Sequence, residues 1–511
     1  MSEAFARGLL SRQRRLHFIG VGGAGMSGIA ELSLRLGFAV SGCDQRLGPT
    51  TERLSALGVK IFQGHHPDHI SADHISDHIV DQAAAHSGER AGDRAANSAD
   101  DRAAADGTRR LDAVVISSAV KFSNPEVARA RALQIPVIAR AEMLGELLRM
   151  VRLGVAVAGT HGKTTTTSLV GLILEEAGLD PTVAVGGNLR ARGTNVRLGG
   201  GDYMVAEADE SDASFLLLLP TIAVVTNIDP EHLDHYGTME RVREAYLNFI
   251  NRVPFYGLAV LGIDSVNVRG LLASVRKPVL TYGVAHDAEL RAANIVIDGL
   301  STRFTVIRAG RELGTVEVPT PGRHVALNAL AAVGVALAVG IEFGVAARAL
   351  SGFSGISRRF EIKGEAAGRI VLDDYAHHPA EIRATLSAAR AAFKRRTVVV
   401  FQPHRYTRLR DLFDDFLGAF DDADVLYLCE VYAAGEEPLA DVSARRLYEA
   451  LRARGHLDVR YLGDEADPVA RLAADTMAGD LLVTMGAGDV YQTGEAVLQS
   501  LGYATKTHEP A

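Results

Sequence analysis

Tryptophan is absent from the 511-residue chain, and cysteine occurs only twice, at Cys43 and Cys429. Two thiols are too few for a disulfide framework and stand too far apart for a metal-ligand spacing, so the sequence reads as a cytoplasmic protein. Long apolar runs are missing as well. The greasiest stretch, Ala329–Ile341, covers 13 residues, short of the roughly 20 that a membrane span needs. The arginines near the start (Arg7, Arg12, Arg14, Arg15) have no apolar core or small-residue cleavage site behind them, so no signal peptide is expected. There is no basic excess either: 54 Lys and Arg stand against 62 Asp and Glu, a formal charge of -8. That balance argues against a nucleic acid as the main ligand, and an anionic substrate would need local cations. What is present, 47% apolar and 23% charged residues, is an ordinary globular composition. A chain of this length exceeds what one core supports, which predicts two or three domains.

Strand-like and helix-like runs alternate through the chain in three α/β blocks joined near 150 and near 356. The first block, 1–150, opens as strand, glycine turn, helix and strand, with further strands at "VKIFQG", "AVVISSA" and "PVIAR". It is interrupted by an Ala-, Asp-, Arg- and Ser-rich segment at about 71–110. Such a composition buries too little apolar surface to offset its ordering entropy, so this segment is expected to be a flexible surface insertion, and its His74, His78 and His86 solvated loop residues. The second block, 151–356, adds alternating β-branched runs between about 290 and 318, which predict a small antiparallel sheet on a parallel one. The third, 357–511, again alternates β and α and predicts a mostly parallel sheet.

"GTHGKTTTT", Gly159 to Thr167, lies between a Val/Ala strand and an amphipathic helix. Glycines let backbone N–H groups face phosphate oxygens, Lys163 can reach the terminal phosphates, and Thr164 offers a hydroxyl for Mg2+. The loop departs from the usual phosphate-loop pattern, because Val157 stands where a glycine is expected. Even so, strand, helix and threonine run together predict ATP or a relative. Metal ligands for such a site come from neighbouring strand ends. "YMVAEADESD" offers Glu207, Asp209, Glu210 and Asp212, and "IAVVTNIDPEHLDHY" offers Asp229, Glu231, His232, Asp234 and His235. Mg2+ favours oxygen ligands, so the residue chemistry alone leaves His232 open between a general base and a surface residue. No serine or cysteine nucleophile has an evident partner, which disfavours covalent catalysis.

In the third block "LDDYAHHPAEI" and "VVVFQPHRYTRLRDLF" each put a polar knot after a buried strand. Asp374, His377, His378, His404, Arg405 and Arg408 would project from one sheet edge, where arginines suit carboxylate or phosphate. Either knot alone would be helix capping and surface salt bridges; two in the same position favour a binding site. In the first block "GVGGAGMSG" carries Gly20-x-Gly22-x-x-Gly25, and Asp44 ends the next strand. Taken alone, this favours a dinucleotide such as NAD.

"GVGGAGMSG", "GTHGKTTTT", "EADESDASF", "TNIDPEHLDHY", "PGRHVALNALAA", "SRRFE", "DDYAHHP" and "FQPHRYTR" occur in this order along nearly the whole chain. Together they resemble the Mur ligase family, the ATP-dependent amide-forming enzymes of peptidoglycan precursor synthesis. The resemblance implies an N-terminal Rossmann-like UDP-sugar domain, a central P-loop-type ATPase domain and a C-terminal Rossmann-like domain that completes the amino-acid site. It implies that ATP, as co-substrate with Mg2+, phosphorylates the lactyl carboxylate of UDP-N-acetylmuramate, and that L-alanine attacks the acyl phosphate. On the same ground Gly159, Thr160, His161, Gly162, Lys163, Thr164 and Thr165 cradle ATP. Thr164 and Glu207 hold one Mg2+ and His232 a second. His324 and Asn328 lie by the adenine, and Arg359 and Asp374 reach the nucleotide from the domain junction. His377, Arg405 and Arg408 face the alanine and the muramyl carboxylate. Gly20, Gly22, Gly23, Gly25, Met26, Ser27 and Asp44 then hold the UDP end of the sugar nucleotide instead of NAD.

Two departures from the family pattern stand out. One is the 71–110 insertion; the other is that no lysine lies between Lys163 and Lys277, where several sister ligases carry one that becomes carbamylated. The second agrees with the alanine-adding branch. A ligase that recycles a tripeptide onto the same sugar nucleotide, a nucleotide-binding switch protein and an NAD-dependent oxidoreductase are the rival readings. A homodimer is left open.

Overall fold

The computed structural model describes residues 14–70, 111–117, 119–186, 196–455 and 458–503. The expected insertion at 71–110 lies outside the described residues. Two compact units emerge, one reaching to Arg152 and including a short piece around Val196, the other built from Leu153 onward.

The first unit holds a parallel sheet of β1 (Arg15–Ile19), β2 (Ala39–Asp44), β3 (Lys60–Gln63), β4 (Ala113–Ile116) and β5 (Val137–Ala139) in the order β3-β2-β1-β4-β5. Its strands read as short apolar runs because both faces are covered: Phe18, Ile19, Val114 and Val115 have no exposed surface. Strand order reverses between β1 and β4, and an open α/β sheet offers its ligand crevice at such a switch point. The glycine turn leaves β1 there, and the helix Ala24–Arg35 starts directly behind it.

The second unit contains two sheets. After β6 (Leu153–Ala158) and β7 (Thr182–Ala184), the chain passes β8 (Val196–Arg197), which groups with the first unit. It then forms β9 (Tyr203–Glu207), β10 (Ile222–Val225), β11 (Leu258–Gly262), β12 (Val279–Gly283), β13 (Leu290–Asp298), β14 (Ser301–Arg308) and β15 (Arg311–Val318). From β15 to β7 these run β15-β14-β13-β12-β11-β10-β6-β9-β7. The ladders are parallel from β7 to β13, and β13, β14 and β15 pair antiparallel, as the alternating texture predicted. The 13-residue apolar stretch falls mainly in the helix Arg323–Ala338, whose Val325, Leu330, Val333 and Val335 are buried against the sheet and the helix Lys163–Glu176. No described helix is long and apolar enough to cross a membrane.

The last sheet consists of β16 (Glu361–Ala366), β17 (Arg369–Asp374), β18 (Thr397–Phe401), β19 (Val425–Leu428), β20 (Val459–Tyr461) and β21 (Leu481–Met485). Their order is β16-β17-β21-β18-β19-β20, parallel apart from the antiparallel edge strand β16. The ends of β17 and β18 flank β21. Both sequence knots therefore leave the same edge.

Candidate active site

The loop between β6 and the helix Lys163–Glu176 is shaped by two glycines in left-handed backbone. Gly159 has φ 138° and Gly162 φ 81°, a region that suits glycine. A Cβ on Gly159 would strike the Thr226 hydroxyl, and one on Gly162 the Asn328 amide. Val157 explains the departure from the usual pattern: it is a wholly buried residue of β6 rather than part of the loop. Lys163 Nζ donates to Gly159 O at 2.7 Å, to Thr160 O at 3.2 Å and to Glu210 Oε1 at 2.8 Å. Burial works against the ammonium, but Glu210 and Glu207 outweigh it and hold Lys163 above its usual range. The lysine is a fixed cation at the helix N-terminus, where phosphate oxygens are favoured.

Thr164 Oγ1 donates to Glu207 Oε2 at 2.9 Å, and the same carboxylate oxygen accepts the Gly186 N–H at 2.7 Å. Across the loop the ligand atoms of Glu210, Glu231 and His232 lie within 4.8 Å of one another. Oxygen donors dominate this neighbourhood, which suits a hard cation such as Mg2+. His232 stands at φ 56°, in left-handed backbone, and its Nε2 lies 3.8 Å from Glu210 and 3.9 Å from Glu231. That puts His232 among carboxylates rather than on an open surface.

A cavity of about 380 Å3 continues from this loop. His161, Gly162, Thr164, Thr165, His324 and Asn328 line it from one side, and Arg359, Asp374 and Glu381 from the other. Burial lowers His324 to about 4, so its ring is neutral at physiological pH and fits beside an uncharged base. Asp374 accepts the N–H groups of Phe360 and Ala376, both at 2.8 Å, while burial pushes its carboxyl up to about 6. His161 joins the two sides: Nε2 is 3.3 Å from Asp229 Oδ2 and Nδ1 is 3.1 Å from Glu381 Oε1. Burial opposes its charge, but the bonds to Asp229 and Glu381 prevail and raise it to about 9.

The two polar knots meet the segment after β10. Arg408 donates to Glu231 Oε1 from Nη2 at 2.6 Å and from Nε at 3.1 Å. Burial would raise the Glu231 carboxyl, yet Arg408, His377 and His232 hold it well below the usual range. Arg405 and Arg408 line a small pocket with Glu231, His232 and Asp234. The Arg405 Nε is buried without a hydrogen-bond partner among the described residues. His377 Nδ1 is 2.9 Å from Tyr375 O and its Nε2 3.9 Å from Glu231. Burial and Arg408 lower it to about 4, so it is a neutral imidazole beside Glu231 and His404.

The expected residues of the second unit thus converge on one continuous region. Glu231 and Glu381 are additions of weight. Glu231 stood among the acidic candidates of "DPEHLDHY" without a mark to single it out. Glu381 sits three residues after His378 in a capping box, so in sequence it reads only as a helix start.

In the first unit, Gly20 has φ 76° and its N–H donates to Cys43 O at 2.8 Å. The Gly22 N–H donates to Asp44 Oδ2 at 2.9 Å, and a Cβ at Gly22 would come equally close to that oxygen. Gly23 caps the helix Ala24–Arg35. The Cβ position of Gly25 is taken by the Arg140 guanidinium. Met26 and Ser27 are buried, and their N–H groups close onto Gly23 O. The turn, the helix N-terminus and Asp44 stand together at the sheet's switch point.

Family models match almost all of this architecture: the Mur ligase family catalytic domain over residues 15–152, the Mur ligase middle domain over 157–336, and the Mur ligase glutamate ligase domain over 358–488. The chain belongs to the Mur ligase family. Within it, the chain is 51% identical to the UDP-N-acetylmuramate–L-alanine ligase of Anaeromyxobacter dehalogenans, over 96% of its own length and 98% of that protein. Among solved structures it is similar to the UDP-N-acetylmuramate-alanine ligase of Thermotoga maritima, with a TM-score of 0.70 and 26% identity over 95% of this chain and 98% of that one. It also shares its fold with a murein peptide ligase of Psychrobacter arcticus, at TM-score 0.61 and 24% identity over 96% and 99% of the two chains.

Proposed function

We propose that this protein joins L-alanine to the lactyl carboxylate of UDP-N-acetylmuramate at the expense of ATP. The observation that carries the reading is the convergence of Lys163, Glu231, His232, Arg405 and Arg408 around one carboxylate-lined region beside the larger cavity. A site with fixed cations and no nucleophile suits phosphoryl transfer followed by aminolysis, which depends on positioning and charge neutralisation. The likeness to alanine ligases over nearly the full chain supports the choice of substrates.

In this reading the cavity takes ATP, with His324 and Asn328 by the base and Arg359 and Asp374 closing on the nucleotide. Lys163 draws the β- and γ-phosphates toward the loop N–H groups. Mg2+ would be held at two positions, one through Thr164 and Glu207 and a second through His232 with Glu210 and Glu231 in reach, and would neutralise charge on the phosphates. A lactyl carboxylate oxygen attacks the γ-phosphorus, the bond to the bridging oxygen breaks and ADP leaves. The alanine amine then attacks the acyl carbon, loses a proton, and phosphate departs as the amide forms. Arg405 and Arg408 orient the two carboxylates, and His377 borders the amine.

The division of labour follows: residues 1–150 take the UDP-sugar through Gly20, Gly22, Gly23, Gly25, Met26, Ser27 and Asp44, residues 151–356 the ATP, and residues 357–511 complete the amino-acid site. A cytoplasmic location belongs to the same reading, and a homodimer would be read from sedimentation. An amino-acid competition assay tests the substrate choice. L-alanine is expected to outcompete the tripeptide L-alanyl-γ-D-glutamyl-meso-diaminopimelate as acceptor, and preference for the tripeptide would overturn the choice.

A further inference from the structure

A second cluster of chemistry-bearing side chains lies in the first unit, around the buried carboxylate of Glu126, in the helix Pro125–Ala132. Glu126 Oε2 accepts the Cys43 thiol at 2.8 Å, while Oε1 lies 2.5 Å from His69 Nδ1 and accepts the His66 N–H at 3.3 Å. His65 Nδ1 is 3.2 Å from Cys43 Sγ and 3.5 Å from Glu126 Oε2. Behind them stands His17 of β1, fully buried. The ligand atoms of His17, Cys43 and Glu126 all lie within 4.8 Å of one another.

His17 is the informative member. Its Nδ1 is 2.9 Å from Ser41 Oγ, and the Ser41 hydroxyl donates in turn to Leu16 O at 3.3 Å. Ser41 Oγ is therefore the acceptor, the ring proton sits on Nδ1, and Nε2 keeps its lone pair. That Nε2 is buried, has no hydrogen-bond partner among the described residues, and faces Glu126 Oε2 at 4.0 Å. Burial lowers His17 to about 4, so the ring remains neutral and does not form an ion pair with the carboxylate. A neutral imidazole whose far nitrogen is fixed by a hydroxyl is the arrangement in which metal-binding histidines are held.

We propose that His17 Nε2, Cys43 Sγ and Glu126 Oε2 form a zinc-class metal site in the first unit, with His65 Nδ1, which touches Cys43 and Glu126 but lies outside the three-residue cluster, closing in as the ligand on the solvent side. Mixed nitrogen, sulfur and oxygen donors of this kind favour Zn2+ over Mg2+. Thiolate and carboxylate together balance the double charge of the ion, so no net charge is buried. Binding replaces the Cys43 S–H bond with a sulfur–metal bond and releases that proton to solvent. The thiol–carboxylate contact must then open from 2.8 Å to roughly 3.5 Å, the separation of two such ligands on a tetrahedral ion. His65 keeps part of its surface, 19% of the side chain, and marks the route for the ion. The donors come from four distant segments, so no spacing rule brings them to notice.

Cobalt(II) is the probe, because a thiolate on Co2+ gives a charge-transfer absorption and a tetrahedral site gives intense visible bands. The test uses full-length, tag-free, reduced and chelator-treated Cys429→Ser protein, in which Cys43 is the sole thiol. One equivalent of Co2+ is expected to produce both signals, Zn2+ to abolish them, and excess Mg2+ to leave them unchanged. His17→Gln is expected to weaken Co2+ binding at least tenfold, and Cys43→Ser to lose the charge-transfer band. Absence of that band from folded Cys429→Ser protein, or its persistence after Cys43→Ser, overturns the site. Co2+ held only at the carboxylates around Lys163 would lack the thiolate band and counts against it equally. The readout does not depend on ligase turnover.

Discussion

Lys163 and Glu210 pair at 2.8 Å beneath the phosphate loop, and in the proposed reaction the ammonium is the cation that meets developing charge on the transferred phosphoryl. Replacing Lys163 by Ala should lower kcat by about 10^2- to 10^3-fold or more, the scale of losing one transition-state contact, with an unchanged far-UV spectrum. Turnover near the parent rate in the folded variant would remove Lys163 from the chemistry. In the Arg408–Glu231 pair both side chains are 9% exposed. Removing one member of a buried pair leaves an uncompensated charge, so Arg408→Ala should cost about 3–5 kcal/mol in urea unfolding. The double variant Arg408→Met/Glu231→Gln should recover most of that loss, and failure to recover would show that the arginine's packing, not its charge, is what matters. His161 gives the pH dependence. Its folded value, about 9, lies above the ordinary 6.5, so its contribution is complete below about pH 6.5 and fades as pH rises through about 9. The Tm difference between the parent and His161→Gln should accordingly shrink across that window, and a constant difference would contradict the bridge to Asp229 and Glu381.

At the scale of elements, two helix glycines call for opposite outcomes. Gly171 lies in the helix Lys163–Glu176, and a Cβ there would stand 2.6 Å from Cγ2 of Val183, itself buried in β7. A β-branched neighbour in a strand cannot swing away. Overpacking therefore exceeds the roughly 1 kcal/mol that alanine gains over glycine in a helix, and Gly171→Ala should lower stability. Gly270, in the helix Val266–Leu271, has open space at its Cβ position, so Gly270→Ala should raise stability by up to about 1 kcal/mol. Chemical denaturation of both variants checks the sign. These elements also mark where sequence reading succeeds and where it stops. Val-rich runs such as "LGVAVA" and the alternating "TRFTVIRAG" carry their own periodicity, and the phosphate loop carries its glycines and lysine within nine residues. Glu381 carries no such signal, because its partner His161 lies 220 residues earlier. The same is true of His17, Cys43 and Glu126, which meet only because the helix Pro125–Ala132 packs against the sheet at β1 and β2.

For the whole molecule, the second unit is the informative body, because its two sheets present their loop ends to one cavity. Thr164 and Asn328 come from the first sheet's side, Asp374 and Glu381 from the second's. A separate nucleotide switch would need only the former set, and a simple amino-acid binder only the latter. Joined around Glu231 and Arg408, they make a reaction that couples nucleotide hydrolysis to bond formation the economical account. The direct measurement is phosphate release by the full chain with ATP, Mg2+, UDP-N-acetylmuramate and L-alanine, followed alongside the amide product. The account predicts ADP, phosphate and amide in equal amounts, with turnover lost when any one substrate is withheld. Phosphate release indifferent to L-alanine and to the sugar nucleotide, with no amide formed, would contradict it.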